Sequence, residues 1–158
     1  DSTLGGIVRG TGAGQMQGIL NSPCLISVTR GGSVTASAAA AWARLPGESQ
    51  QRAVWLCNPS VAIPTTPGLP LLMHGRPVMG IEACSAAAVA GDLILADLSQ
   101  YQIVWRALSI ATSLYVFFDA DAPAYRFILR VQGGPMWAAA AAPQHGSDTR
   151  SPFVTVAA

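Results

Sequence analysis

The clearest periodicity in the chain lies between residues 125 and 131, where Tyr125, Phe127, Leu129 and Val131 alternate with Arg126, Ile128 and Arg130. A period of two sends successive side chains to opposite faces of a strand, so this segment is predicted to form a strand with one strongly apolar face. Residues 101–106 and 108–118 are rich in β-branched and aromatic types and predict two more strands. Shorter apolar runs predict strands over 24–28, 53–57, 77–83, 92–96 and 153–156. Turn-forming residues separate them, among them Gly31-Gly32, Asn58-Pro59, Gly91, Ser99-Gln100 and Pro152.

The alanine-rich stretch that ends at Leu45 predicts a helix starting at Ser33 or Thr35, with Thr35 or Ser37 as N-cap and Pro46-Gly47 as its stop. Such a helix puts Trp42 and Leu45 on one face. Gly10, Gly12, Gly14 and Gly18 predict a flexible opening loop, and Pro59, Pro64, Pro67 and Pro70 make Asn58 to Leu71 a loop. Many short strands with few helices predict an α+β fold and not a parallel βαβ sheet.

The length of 158 residues allows one domain with at most a small appendage, and a core that buries roughly two thirds of the unfolded surface. Charged residues make up 11% of the chain, against about 25% in ordinary domains. An exterior this poor in charge suits a chain whose surface is covered by partners, although alanine and glycine also inflate the apolar share. No apolar run reaches the roughly 20 residues that span a bilayer, and no signal peptide is recognised, so the expectation is a soluble chain made in the cytoplasm.

Charge narrows the function classes. There is no lysine; nine arginines face eight acids, a net charge of +1. Sequence-independent nucleic-acid binding needs a basic stripe, and only Arg126 and Arg130 lie close together. Cys24, Cys57 and Cys84 are odd in number and lack CxxC spacing, which excludes a disulfide framework or zinc site and predicts buried free thiols. His74 and His145 are isolated, with no partner at metal spacing. No metal or other cofactor is expected.

Enzymatic chemistry finds little support. Gly10-Thr11-Gly12-Ala13-Gly14 lacks the lysine of a phosphate loop, and Gln15 stands where a dinucleotide fingerprint needs its third glycine. Cys84, near Glu82, is a conceivable nucleophile with His74 or His145 as base, but its alanine-rich flank does not favour a thiolate. Asp119 and Asp121, just ahead of Pro123, fit a turn better than an acid–base pair.

Three segments carry a family resemblance: His74-Gly75-Arg76-Pro77-Val78, the run from Gly91 to Tyr101, and Gly146 to Val154. Together with Gly10 to Leu20 and Ala53 to Pro59, they resemble the C-terminal portion of tailed-phage major capsid proteins of the HK97 type. The resemblance implies a non-enzymatic shell subunit of an icosahedral phage or prophage capsid that self-assembles into pentamers and hexamers enclosing DNA. Location in the virion, other phage head proteins as partners, indirect contact with packaged DNA and no membrane contact all follow from it. Residues 18–106 would correspond to the axial domain, and residues 1–17 and 107–158 to the peripheral domain.

The loop residues Pro64, Thr65, Thr66, Pro67 and Gly68 would meet neighbouring subunits at the axial tip. The family's N-terminal arm, extended loop and spine helix have no counterpart here, and the proline-rich segment looks shortened. Some members crosslink through a lysine–asparagine isopeptide bond; this chain has no lysine to provide one. Alternative readings are an encapsulin or gene-transfer-particle shell, a small α+β binding module, or a cysteine hydrolase.

Overall fold

The computed structural model describes residues 3–61, 72–86 and 88–157. Its centre is a six-stranded mixed sheet made of β1 (Ile26–Thr29), β2 (Val54–Cys57), β3 (Leu72–Met73), β4 (Arg76–Gly80), β5 (Leu93–Ala96) and β8 (Phe153–Ala157). The spatial order is β1-β8-β5-β2-β4-β3. β1 pairs with β8, and β2 with β4, in parallel; the remaining neighbours run antiparallel. The other two strands, β6 (Tyr101–Phe117) and β7 (Ala122–Pro135), form a separate antiparallel hairpin. The expected α+β class is observed.

Both faces of the sheet are buried at its middle strands β8, β5 and β2, which explains why β5 reads as the unbroken apolar run Leu-Ile-Leu-Ala. Trp55, Leu93, Leu95, Val154 and Val156 point to one side, where they pack with Ala38, Ala41 and Leu45. Leu56, Ile94, Ala96 and Phe153 point to the other and pack with Val8, Ile19, Cys24 and Cys84. The two sets alternate along each strand as the pleat requires.

The first face is covered by α2 (Val34–Ala43). The side chain of Ser33 is the N-cap of α2 and accepts from the Ala36 amide at 3.1 Å. Thr35 and Ser37 were the expected caps; both lie inside the helix, where Ser37 donates to the Ser33 carbonyl at 3.0 Å. Pro46 does not merely stop a helix, since it leads into the short α3 (Gly47–Gln50). Leu45 is fully buried and Trp42 packs against the same cluster.

The second face is covered by α1 (Thr3–Arg9) and a short 3₁₀ turn at Ile19–Asn21. Gly5 and Gly6 hid this helix at the sequence level; burial of Val8 against the sheet outweighs their poor propensity. The glycine-rich segment is tied down. Gly12 donates to the Met16 carbonyl, Gly18 to the Gly10 carbonyl at 2.7 Å, and Gln17 to the Gly133 carbonyl at 2.8 Å.

Residues 101–106 and 108–118, expected as two strands, join in β6, and 125–131 extends to β7. Residues 153–157, grouped with the hairpin on sequence, lie between β1 and β5 in the central sheet.

Candidate functional site

The hairpin is the part of the molecule that the described residues leave uncovered. At about 3.3 Å per residue, the 17 residues of β6 extend roughly 55 Å. Among the described residues only its base is docked: Tyr101 donates its hydroxyl to the Gln17 carbonyl at 2.9 Å, and Trp137 donates to Gln100 Oε1 at 3.1 Å. Beyond it, Trp105 is 73% exposed, Phe127 64% and Leu129 61%. An isolated two-stranded ribbon is marginal in water, and apolar surface this extensive has the character of an interaction face.

The ladder sorts the side chains into two unlike faces. Directly opposed residues share a face, and the register pairs Trp105 with Val131, Ile110 with Phe127 and Thr112 with Tyr125. With Ile103 and Leu129 these make an apolar face. The other face carries Val104 opposite Gln132, Arg106 opposite Arg130, Ser109 opposite Ile128 and Ala111 opposite Arg126. A bulge between Arg106 and Ser109 absorbs one surplus residue of β6. Without it Ile110 would turn to the arginine face.

The apolar face runs on into a cleft beside the central sheet. Leu4, Ile7, Met79, Ile81, Leu98 and Ile103 line it, with almost no polar surface among them. Leu4 and Met79 are each about half exposed. The hairpin tip adds Tyr115, Phe117 and Phe118, all exposed. Asp119 and Asp121 lie at the turn, Asp121 in the left-handed conformation with φ of 48°.

The chemical candidates are dispersed. Burial pushes the Cys84 thiol up to about 11, with the nearby Cys57 and Asp92 adding to the effect and Arg9 opposing it. His74 stacks on the indole of Trp42 with ring centres 5.6 Å apart, and His145 is exposed on a separate loop. Burial also raises the Cys57 thiol, and Cys24 is buried. Among the described residues, no group of three His, Cys, Asp or Glu side chains could hold a metal ion. No helix among them is long and apolar enough to cross a membrane.

Two buried aspartates serve the frame. Asp92 accepts from Arg30 at 2.6 Å and from the Ala88 amide at 2.7 Å. Asp97, where the sheet gives way to the hairpin, accepts from the Ser99 hydroxyl at 2.6 Å and amide at 3.1 Å. Pro64, Thr65, Thr66, Pro67 and Gly68, the loop expected to meet neighbours, lie outside the described residues. The alternation at 125–131 pointed to half of the apolar face. The contribution of Trp105 and Ile110 was obscured by the surplus residue between them.

No protein-family model matches the sequence, and no curated protein matches it. The fold is similar to that of a solved structure described as the capsid of an empty GTA particle, that is, a gene-transfer-agent particle, computed with C5 symmetry. The TM-score is 0.68 at 13% identity, over 98% of this chain and 60% of that one. The chain thus spans about three fifths of that capsid chain's length. The likeness shows that this chain shares the fold of that capsid chain.

Proposed function

We propose that this chain is a structural subunit of an icosahedral capsid of the HK97 type, the shell of a phage, prophage or gene-transfer particle. Pentamers and hexamers of it would enclose DNA. The observation that carries the reading is the amphipathic hairpin: a capsid-like fold projects a long ribbon whose apolar face is left open by the described residues. Subunits that close rings and shells need such surfaces, because each contact is repeated by symmetry and engaged together with many others.

On this reading the central sheet with α2 forms the axial domain, to which β8 returns, and the hairpin belongs to the peripheral domain. The segment 64–68 remains the proposed axial contact. The chain carries no catalytic residue. The high thiol pKa of Cys84 supports this, since a buried neutral thiol is a poor nucleophile.

The test is sedimentation velocity on the protein expressed from its complete reading frame, beside a Trp105→Glu/Phe127→Glu variant. The wild type is expected to sediment as rings or shells and the variant as folded single subunits. Equal sedimentation of both as one subunit would refute the proposal.

A further inference from the structure

The polar face of the hairpin carries Arg106, Arg126 and Arg130, and Arg106 stands directly across from Arg130. Like charges at directly opposed positions are unfavourable in a ladder. No ion pair relieves them among the described residues: the three salt bridges there use Arg30, Arg44 and Arg52. The bulge opens a shallow cleft lined by Arg106, Ala107, Ser109, Ile128 and Arg130. A carboxylate seated there would meet two guanidinium groups and a hydroxyl, and would turn their mutual repulsion into attraction.

The same hairpin carries the opposite charge at its end. Asp119 and Asp121 occupy the tip, and neither takes part in a salt bridge among the described residues. Asp121 is five residues from Arg126, about 16 Å along an extended strand. That separation exceeds both the reach of an ion pair and the screening length of about 8 Å at physiological salt. One hairpin therefore cannot neutralise itself, whereas two hairpins can neutralise each other.

We propose that the acidic tip of one copy of this chain, through Asp119 and Asp121, docks on the arginine face of the next copy at Arg106, Arg126 and Arg130. The inference rests on the shell-subunit reading and gives that reading a specific contact. The contact is heterologous, with tip meeting face, so its rotation either closes a ring or propagates. It also leaves the apolar face of each hairpin free for other cover.

The experiment compares four proteins from the complete reading frame: wild type, Arg126→Glu/Arg130→Glu, Asp119→Arg/Asp121→Asn, and all four substitutions combined. Asparagine is chosen at 121 because it tolerates the left-handed backbone. Circular dichroism checks folding, and an Arg126→Gln/Arg130→Gln variant replaces any reversal that does not fold. Sedimentation is expected to show association weakened at least tenfold in either half-reversal, increasingly so at low salt, and recovered in the combination. Unchanged association in both half-reversals, or no recovery in the combination, overturns the contact while the shell reading stands. Loss of retention of a labelled DNA duplex on the arginine reversal, with assembly unaffected by the tip variant, also overturns it and assigns that face to nucleic acid. A wild type that stays a single subunit overturns the shell reading and this contact with it.

Discussion

Ile110 stands directly across the hairpin from Phe127, on the same face as Trp105 and Val131. Five positions separate Trp105 from Ile110, an odd number that would send them to opposite faces of a regular strand. The bulge between Arg106 and Ser109 removes the conflict. One irregularity thus keeps tryptophan, isoleucine, phenylalanine and valine together and leaves the arginines on the other side. The separation of an apolar face from a basic one underlies the functional reading.

Asp97 ties the central sheet to the hairpin base, and its effect on stability should depend on pH. Burial alone would raise its carboxyl, but hydrogen bonds from the Ser99 and Ser49 side chains and the Ser99 amide, with the charge of Arg52, hold it below the ordinary aspartate value. A lowered folded pKa stabilises above the unfolded value and loses that contribution as pH falls through the folded one. Asp97→Asn is expected to cost about 1–3 kcal/mol at neutral pH, and the difference should shrink below about pH 4. Urea unfolding of both proteins at pH 7 and pH 3 checks this; a constant difference would contradict it.

Phe153 tests whether the last strand belongs to the central core. It is fully buried in β8, on the face that also holds Val8, Ile19 and Ile94. Phe153→Ala should cost about 3–5 kcal/mol, measured as a shift of the urea midpoint. A cost near that of a surface change would show that β8 does not pack as described.

Gly18 tests the docking of α1. A Cβ there would lie 2.5 Å from the Gly10 nitrogen and 2.7 Å from the Arg9 nitrogen, both backbone atoms that cannot step aside. Gly18→Ala is expected to destabilise by about 1–3 kcal/mol. Gly47→Ala, where a Cβ would meet nothing within 4 Å, should stay within about 0.5 kcal/mol of wild type. Thermal melts of the pair distinguish close backbone approach from a general intolerance of glycine replacement.

Cys84 separates the structural reading from the hydrolase alternative. With the thiol pushed up to about 11 by burial, alkylation of native protein at neutral pH should leave Cys84 unlabelled. All three cysteines should react in denaturant. Selective fast labelling of Cys84 in the native state, read by mass spectrometry, would revive the nucleophile.

Much of the sheet was legible because local chemistry and burial agree in it. The strands at 54–57, 93–96 and 153–157 are short runs of apolar, β-favouring residues buried on both sides, so composition alone marks them. Their pairing was not legible. β1 lies beside β8 more than a hundred residues away, and a two-fold period fixes faces without naming neighbours. Helix α1 escaped notice because its stability comes from Val8 against the sheet and not from Gly5 and Gly6. Half of the hairpin's apolar face was visible in Tyr125, Phe127, Leu129 and Val131; the other half needed the bulge at 107–108 to bring it into phase.

The central claim is a shell, and negative-stain electron microscopy of the protein from its complete reading frame tests it most directly. Closed particles or rings of uniform diameter are the predicted result. Single subunits under every condition of salt and concentration, with the fold intact by circular dichroism, would contradict the account.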